Sequence, residues 1–491
     1  MATSTETRPL LASAPPDASV QTSSRHSSGR RSVWTVIVLL LVTVAAVSIF
    51  LMSPKTSRRI HRTDHAVVAL PGETAQVSNS LNGHYSGYIP VTSDGYLFYW
   101  YFPTTKTGGS DKLVIWINGG PGCSSMIGQF TENGPFSVAS NGSLVVNPYS
   151  WHNEVNMLYV DQPTGAGFSF TKPKSGPRDE HEVASQFYTF LTHFYEVYPE
   201  LQSFALYITG ESYAGVYAPW IARHIITQQV LHPAPSPRIH LLGVGVGNPV
   251  LSWRYQFDAV AAFDYLREVR FFGADAEALE KAARVAEACR GEMGDSEEPT
   301  GKPYGCSMYR YANEWVVQTK RDGRKCLDRL NYKKECVDDA LIGGPGLSVY
   351  LDRDDVRRAI HVDPLQRERG SHNRWKACDN RVDRLNDTAL PEPIAIIPGI
   401  LAAGVGYLVY EGDLDLSINY PGTERAIGNM TWGGVQGLQG ALKEYRVGDV
   451  PAGLMASERG FTYLRIYNAG HMVPTDQPIT GMDVLKKVIS L

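Results

Sequence analysis

The sequence predicts an α/β fold with a mostly parallel central sheet, and three observations support this prediction. Short apolar runs of strand length alternate along the chain with longer segments of helical spacing. Several of these runs end directly in glycine-containing or acidic loops, as buried parallel strands do. A charge-rich stretch with helical patterning, from about residue 250 to 375, interrupts the alternation, and we expect it to be a helical cap inserted into the sheet domain.

The runs that predict strands lie on both sides of the cap. Before the cap they cover residues 96–102, 113–117, 157–160, 204–208 and 241–246. After the cap they cover residues 406–410 and 461–466. Between the third and fourth runs, residues 182–198 carry apolar side chains at helical spacing. This order predicts strands joined by helical crossovers, which cover both faces of a parallel sheet.

Length and composition allow a large globular domain and exclude several classes of protein. The 491 residues are 43% hydrophobic and 20% charged, which excludes a disordered, collagenous or multispan membrane protein. The net charge of −4 provides no basic field for nucleic acid. None of the six cysteines has Cys-x-x-Cys spacing and no cluster of metal ligands is visible, so we expect neither a metal nor another cofactor.

The first 75 residues predict a membrane anchor with its flanking segments. Residues 1–32 are rich in Ser, Thr, Pro and Arg, a composition typical of a disordered tail. Residues 33–52 contain no charge and, as a helix, would span about 30 Å of hydrocarbon. This run is longer than that of a secretory signal peptide, so it favours a retained signal-anchor over a long cleaved signal. Residues 53–75 are expected to form a stalk before a catalytic domain at 76–491.

Flanking charges do not decide the orientation of this anchor, because basic residues lie on both sides of it. Acceptor triplets for N-glycosylation begin at Asn141, Asn386 and Asn429. Together with the even number of cysteines they favour a lumenal domain and a cytosolic tail, and hence a single-pass protein of the secretory, endolysosomal or vacuolar membranes.

The expected cytosolic tail also contains a short sorting motif. Glu6, Leu10 and Leu11 resemble the acidic dileucine signal that sorting adaptors bind. A chance match is the alternative, because motifs of this length arise often in polar tails.

The fourth strand is followed by a motif that predicts a nucleophile. In Gly210-Glu-Ser-Tyr-Ala-Gly215, small residues on both sides of Ser212 permit the sharp strand-to-helix turn called a nucleophile elbow. A serine nucleophile needs a base and a carboxylate that orients the base. His471 and Asp415 follow later strands, in the chain order of an α/β-hydrolase. Asp413 is a rival for the carboxylate, and spacing alone does not separate the two.

Over roughly residues 84–491 the chain resembles the serine carboxypeptidase family, which has the α/β-hydrolase fold. The blocks that carry this resemblance are Tyr85-Ser-Gly-Tyr88, Trp116-Ile-Asn-Gly-Gly-Pro-Gly-Cys-Ser-Ser125, Glu132-Asn-Gly-Pro135, Asn147-Pro-Tyr-Ser-Trp151, Asp161-Gln-Pro-Thr-Gly-Ala-Gly-Phe-Ser169, Gly210-Glu-Ser-Tyr-Ala-Gly215 and Gly470-His-Met-Val-Pro474. The resemblance implies that Ser212 is the nucleophile, His471 the general base and acid, and Asp415 the orienting carboxylate. It also implies that the backbone amides of Gly120 and Tyr213 form the oxyanion hole.

The resemblance further assigns Asn118, Glu132 and Glu211 to the carboxylate at the C-terminus of the substrate. Two neighbouring acids resist losing both protons, so one of them keeps its proton and can donate to an anion. Binding should therefore weaken once both ionise, which gives a physical reason for activity at acidic pH.

The cysteines and one strand end complete the comparison with the family pattern. The resemblance implies a disulfide between Cys123 and Cys378, and we expect the cap pairs to be Cys289–Cys306 and Cys326–Cys336. The nested pairing, Cys289–Cys336 with Cys306–Cys326, is the alternative. Asn248-Pro249 departs from the family's more usual Asn-Gly step.

The function that these observations favour is a serine carboxypeptidase, releasing C-terminal amino acids from peptides through an acyl-enzyme. One alternative is the related family of acyltransferases, which commonly have Asp where this chain has Glu211. The other is a protective or scaffold protein without catalysis, which would have no need of Ser212, Asp415 and His471. Peptides are the expected partners, nucleic acid is not, and a homodimer is possible.

Overall fold

A computed structural model describes residues 60–491 of the chain, with gaps at 173–174, 235–236, 257–258, 293–310, 313, 316–318, 320–326, 336–344, 363–373, 380–381, 383–384 and 387–389. The expected tail and anchor, residues 1–52, lie outside this part. Across the described ranges, no helix has both the length and the apolar character that a membrane crossing requires.

The centre of the fold is a sheet of ten strands in the order β1-β2-β6-β3-β7-β8-β9-β14-β13-β12. The six strands from β6 to β14 run parallel, and antiparallel strands extend the sheet at both ends. The strands, including two small hairpins, are β1 Tyr85–Pro90, β2 Tyr96–Phe102, β3 Lys112–Ile117, β4 Phe136–Val138, β5 Leu144–Val146, β6 Asn156–Asp161, β7 Ala205–Glu211, β8 Leu241–Gly247, β9 Gly406–Gly412, β10 Thr431–Trp432, β11 Val435–Gln436, β12 Lys443–Val447, β13 Val450–Glu458 and β14 Phe461–Ile466. All the predicted strands are present, and the predicted α/β-hydrolase fold is confirmed.

The described helices connect these strands or form the cap. They are α1 Ala75–Asn79, α2 Met126–Thr131, α3 Glu180–Val197, α4 Ala214–Leu231, α5 Trp253–Gln256, α6 Ala259–Glu268, α7 Ala276–Glu292, α8 Pro345–Leu351, α9 Asp354–Ala359, α10 Pro393–Ala402, α11 Tyr420–Asn429, α12 Val473–Asp476 and α13 Pro478–Val488. Short 3-10 turns cover Arg62–His65, Trp151–Asn153 and Pro199–Leu201. The predicted helix at 182–198 corresponds to α3, which Asp179 caps by accepting a hydrogen bond from the Glu182 amide at 3.0 Å.

Both faces of the central strands are buried. In β3, Val114 and Trp116 share one apolar cluster with Val484 and Leu485 of α13. Alternate residues such as Ile115 point to the opposite face and are equally buried. Helix α4 packs against β7 and β8, and α3 and α10 pack against α4. Because the central strands are parallel, their carboxyl ends and the loops that follow them lie at the same edge of the sheet.

Residues 61–75 are packed against the domain, so the stalk predicted over 53–75 is wrong for this part of it. The unit that contains the sheet begins at His61. Val67 and Leu70 join the apolar core, and the Val67 amide donates to the His84 carbonyl at 2.9 Å. The physical reason is burial of these apolar side chains, which favours a docked segment over a solvated one.

Part of the predicted cap packs against the loops that follow β9 and β14. Helices α6 and α7 form an apolar cluster that includes Leu416. A turn at residues 327–335 lies between the two loops: the Arg329 carbonyl accepts from the Leu416 amide at 3.0 Å, and the Leu330 carbonyl accepts from the His471 amide at 2.7 Å. The cap therefore fixes the backbone at both loops.

Candidate active site

Ser212 lies at the sharp turn between β7 and α4. Its φ of +65° lies in the left-handed region, which residues other than glycine seldom adopt. The Ser212 amide donates to the Gly247 carbonyl at the end of β8, at 2.9 Å, and α4 begins two residues later. The side chain keeps part of its surface accessible to solvent. This is the strained and partly accessible geometry that the elbow motif predicts.

His471 and Asp415 are joined by a short hydrogen bond. His471 Nδ1 lies 2.6 Å from Asp415 Oδ2, and both side chains are buried. Asp413, the rival carboxylate, instead has one buried oxygen without a partner among the described residues. The geometry therefore separates the two acids, since only Asp415 can hold the imidazole in one orientation.

Asp415 has two further donors that fix its carboxylate. The Ser417 amide donates to Oδ1 at 2.7 Å, and Asn248 Nδ2 donates to Oδ2 at 2.8 Å. Burial lowers the pKa of His471, but the charge and hydrogen bond of Asp415 outweigh that effect, so the pKa lies above its ordinary value. Asn248 was not predicted to belong to this site; its only sequence signal was the unusual Asn248-Pro249 step after β8.

The glycine loop after β3 packs directly against the nucleophile turn. Gly120 has a φ of +107°, which only glycine adopts readily. A Cβ atom at Gly119 would lie 2.3 Å from the Tyr213 amide nitrogen, so the loop and the first turn of α4 are in close contact. The amides of Gly120 and Tyr213, predicted to form an oxyanion hole, belong to these two adjoining segments.

Two features hold the glycine loop in place. A disulfide joins Cys123 to Cys378, the pairing that the family resemblance implies. On the other side, the buried Asp161 accepts hydrogen bonds from Ser124 Oγ at 2.7 Å and from the Ser125 amide at 2.8 Å. Burial raises the pKa of Asp161 to about 6, although these hydrogen bonds oppose the shift.

The predicted carboxylate-binding residues are brought together next to Ser212. Asn118 Nδ2 donates to Glu211 Oε1 at 2.8 Å, and Trp116 Nε1 fixes the amide by donating to Asn118 Oδ1 at 2.8 Å. Glu132 follows α2 and faces Glu211, and both acids are buried. The structure thus places two acids and one amide beside the nucleophile.

The protonation of this pair follows from its surroundings. Neither Glu132 oxygen has a partner at hydrogen-bonding distance and angle within the described residues, although Asn118 and Glu211 are close enough to influence its pKa. Burial raises the pKa of Glu132 well above its ordinary value, and Glu211 raises it further. Burial also raises the pKa of Glu211, against the opposing charge of His471. Asn118 donates to Glu211, whereas neither Glu132 oxygen has a partner among the described residues, so we expect the proton of the pair on Glu132.

The remaining predicted sites have a simpler outcome. Asn141, Asn386 and Asn429 are all exposed. Cys306, Cys326 and Cys336 lie outside the described residues, so the cap pairings stay predictions. In the part of the chain that the structure covers, no group of three or more His, Cys, Asp or Glu side chains could hold a metal ion.

The ten-stranded sheet, the serine turn and the hydrogen-bonded Asp415–His471 pair define an α/β-hydrolase-like enzyme. A family model described as serine carboxypeptidase matches residues 71–491, and the chain therefore belongs to the serine carboxypeptidase family. It is a serine-type carboxypeptidase and a hydrolase, as the sequence predicts.

Relatives with solved or curated descriptions agree with this membership. The chain is 31% identical over 480 residues to pheromone-processing carboxypeptidase KEX1 of Arthroderma otae, an alignment that covers 94% of this chain and 72% of that protein. For the Aspergillus fumigatus protein of the same name the identity is 30% over 496 residues, covering 95% and 73%. The crystal structure of Kex1, a prohormone-processing carboxypeptidase from Saccharomyces cerevisiae, matches with a TM-score of 0.77 and 25% identity, covering 88% of this chain and 96% of that chain.

Proposed function

We propose that Ser212, His471 and Asp415 form the catalytic triad of this carboxypeptidase, with peptides as substrates. Ser212 Oγ attacks the carbonyl carbon of the last peptide bond and gives its proton to His471 Nε2. His471 Nδ1 donates to Asp415, which stabilises the imidazolium that forms. The Gly120 and Tyr213 amides stabilise the oxyanion of the tetrahedral intermediate.

Collapse of this intermediate breaks the peptide bond. The amine of the departing C-terminal amino acid takes the proton from His471, and the rest of the peptide remains as an ester on Ser212. Water then attacks the ester, with His471 accepting a proton from the water and returning it to Ser212 Oγ. The products are a free amino acid and a peptide shortened by one residue.

The observation that supports this substrate class is the acid pair beside the nucleophile. A protonated Glu132 can donate to the terminal carboxylate of a peptide, and so can the Asn118 amide. An amidated C-terminus carries no anion for these donors. Binding is expected to favour acidic pH, whereas the raised pKa of His471 requires the pH to be high enough to free the base. The working range then lies between these two limits.

The test is hydrolysis of an N-blocked dipeptide and of its C-terminally amidated twin, from acidic to neutral pH. We expect release of the amino acid from the free acid only, and no release by Ser212→Ala. Equal cleavage of both peptides would refute the carboxylate site. If neither peptide is cleaved but a fluorophosphonate labels Ser212, the acyltransferase alternative replaces the peptidase.

For the membrane topology we propose a signal-anchor at residues 33–52, a cytosolic tail at 1–32 and a lumenal catalytic domain in the secretory, endolysosomal or vacuolar system. The exposed positions of Asn141, Asn386 and Asn429 support this orientation, because a glycosyl transferase must reach them. The test is glycosidase sensitivity combined with alkaline extraction of membranes. Glycosidase treatment should change the electrophoretic mobility of the wild type, and loss of all three sites should abolish this change. Release of the protein from membranes by alkali would refute the anchor.

Two finer expectations belong to the same proposal. Glu6, Leu10 and Leu11 would bind a sorting adaptor, so a Leu10→Ala, Leu11→Ala variant should change the compartment in which the protein accumulates. The cap disulfides, and a homodimer of the catalytic domain, can be checked by peptide mapping and by sedimentation.

A further inference from the structure

A second carboxyl group lies behind Asp415, outside the proposed triad. Glu411 is the penultimate residue of strand β9, and its side chain is completely buried. One of its oxygens, Oε1, accepts a hydrogen bond from Asn248 Nδ2 at 3.0 Å. The other, Oε2, lies 2.8 Å from Thr423 Oγ1 on α11. No step of the proposed mechanism uses Glu411.

Asn248 connects this buried acid to the triad. The same Nδ2 atom donates to Glu411 and, at 2.8 Å, to Asp415 Oδ2, so each amide hydrogen has one carboxyl partner. The rest of Asn248 is equally constrained. Its amide nitrogen donates to the Tyr410 carbonyl at 2.8 Å, its Oδ1 accepts from the Gly412 amide at 3.3 Å, and its φ is +42°.

The groups that face Glu411 come from three elements. They are Asp415 in the loop after β9, Glu424 on α11 and Tyr463 on β14, and Arg465 pairs with Glu424 at 3.5 Å. Among the described residues none of the direct neighbours is a cation. Burial raises the pKa of Glu411 well above its ordinary value, and the charge of Asp415 raises it further.

We propose that Glu411 is a positioning residue: it holds the Asn248 amide, which in turn holds Asp415 in the orientation that His471 needs. The inference rests on the proposed triad and adds two residues behind it, Asn248 and Glu411. The raised pKa of Glu411 supports this role, because a protonated Glu411 adds no second negative charge at the amide that it shares with Asp415. The Thr423 hydroxyl donates to Oε2 of Glu411 and accepts from Gln256 Nε2 at 2.9 Å, so it holds the second oxygen of the acid in place.

The experiment measures the rate at which a fluorophosphonate labels Ser212, because this readout does not depend on the peptide substrate. Labelling is followed from pH 4 to 8 in the full chain, for the wild type and for Glu411→Ala and Glu411→Gln. We expect Glu411→Ala to lower the maximal rate by about tenfold or more, because Asn248 loses one of its two anchors. Glu411→Gln, which copies the neutral acid, should recover most of that loss and keep the pH midpoint of the acidic limb.

Two results would overturn the proposal. One is a Glu411→Ala variant that is labelled as fast as the wild type. The other is a Glu411→Gln variant whose acidic midpoint moves down by about one pH unit or more, because that shift would show that Glu411 is a second negative charge near His471. If Glu411→Ala does not fold, Thr423→Val takes its place, since it removes the other partner of Glu411; several-fold slower labelling is expected, and an unchanged rate refutes the proposal.

The same data separate this inference from the proposed function. A wild type that fluorophosphonate does not label at Ser212 refutes the triad and the inference together. A labelled wild type that cleaves no dipeptide refutes the substrate class, while its labelling profile still decides the role of Glu411.

Discussion

The pH dependence of substrate binding should disappear when both acids beside Ser212 are replaced by glutamine. The terminal carboxylate of a peptide has a pKa of about 3.5, so it stays ionised throughout the working range. Burial raises the pKa of Glu132, and this acid is protonated, and able to donate, below that raised value. As pH rises through it, the donor is lost and a negative charge appears opposite the substrate anion. Binding by the wild type is therefore present at low pH and lost as pH rises.

The size of the effect follows from the contacts. Glu132 is 4% exposed and Glu211 is 6% exposed, so water screens their interaction with the substrate only weakly. A hydrogen bond to a charged group contributes about 1.5–3 kcal/mol, which corresponds to roughly 10- to 150-fold in KM. The double variant Glu132→Gln, Glu211→Gln keeps N–H donors but cannot titrate. Its KM should change by less than about threefold over the range in which that of the wild type rises at least tenfold.

The assay is KM and kcat for an N-blocked dipeptide at half-unit intervals from pH 4.5 to 7.5. Glu196→Gln is the matched control, because Glu196 is an exposed residue of α3 outside the site. This control should follow the wild-type profile. A double variant whose KM rises with pH as steeply as that of the wild type would show that another group senses the substrate carboxylate.

Three further predictions concern the proposed triad, the glycine loop and the buried acid behind Asp415. Asp415→Asn should lower kcat by about 10⁴-fold because the imidazole loses its orienting acceptor, whereas Asp413→Asn should have a small effect; equal losses would contradict the assignment. Gly119→Ala should slow fluorophosphonate labelling by about 100-fold or more, because its Cβ atom would lie 2.3 Å from the Tyr213 amide nitrogen. Glu411→Gln should gain stability relative to the wild type as pH rises. The pKa of Glu411 is raised by folding, so the wild type loses up to about 1.4 kcal/mol of unfolding free energy per pH unit above about pH 4.3, until that raised pKa is reached. Urea unfolding of both proteins at pH 5 and 7 measures this difference. An equal change in unfolding free energy between the two pH values would contradict the predicted effect.

The parallel part of the fold could be predicted from sequence because buried parallel strands are continuous apolar runs. Residues 113–117 and 241–246 are of this kind, and both are central strands, in β3 and β8. The strands β12 and β13, at one end of the sheet, were not predicted. They are only partly buried, so their sequences lack a continuous apolar run, and antiparallel edges depend on partners that local sequence does not show.

The members of the candidate site could be predicted only where a motif marks them. Ser212, Asp415 and His471 follow strand ends, and the fold brings the last two into contact as expected. The roles of Asn248 and Glu411 could not be predicted. These residues are 163 positions apart and meet only because β8 and β9 are neighbours in the sheet. Glutamate side chains usually lie at the surface, so nothing in the sequence marks Glu411 as buried.

The fold surrounds chemically similar acids with different sets of hydrogen-bond donors. Asp415 receives three hydrogen bonds, from Ser417, Asn248 and His471, which hold its carboxylate in one orientation. Glu132 is equally buried but lacks such donors in the described part of the chain, which favours the neutral acid. In the proposed mechanism Asp415 thus lies behind the base, where a developing imidazolium needs a counter-charge, and Glu132 lies where the anionic end of the substrate arrives. In that mechanism, a charged acid at the Glu132 position would repel the substrate, and a neutral acid at the Asp415 position would leave the base without a counter-charge. The surroundings of each acid, and not its residue type alone, therefore determine what it can do.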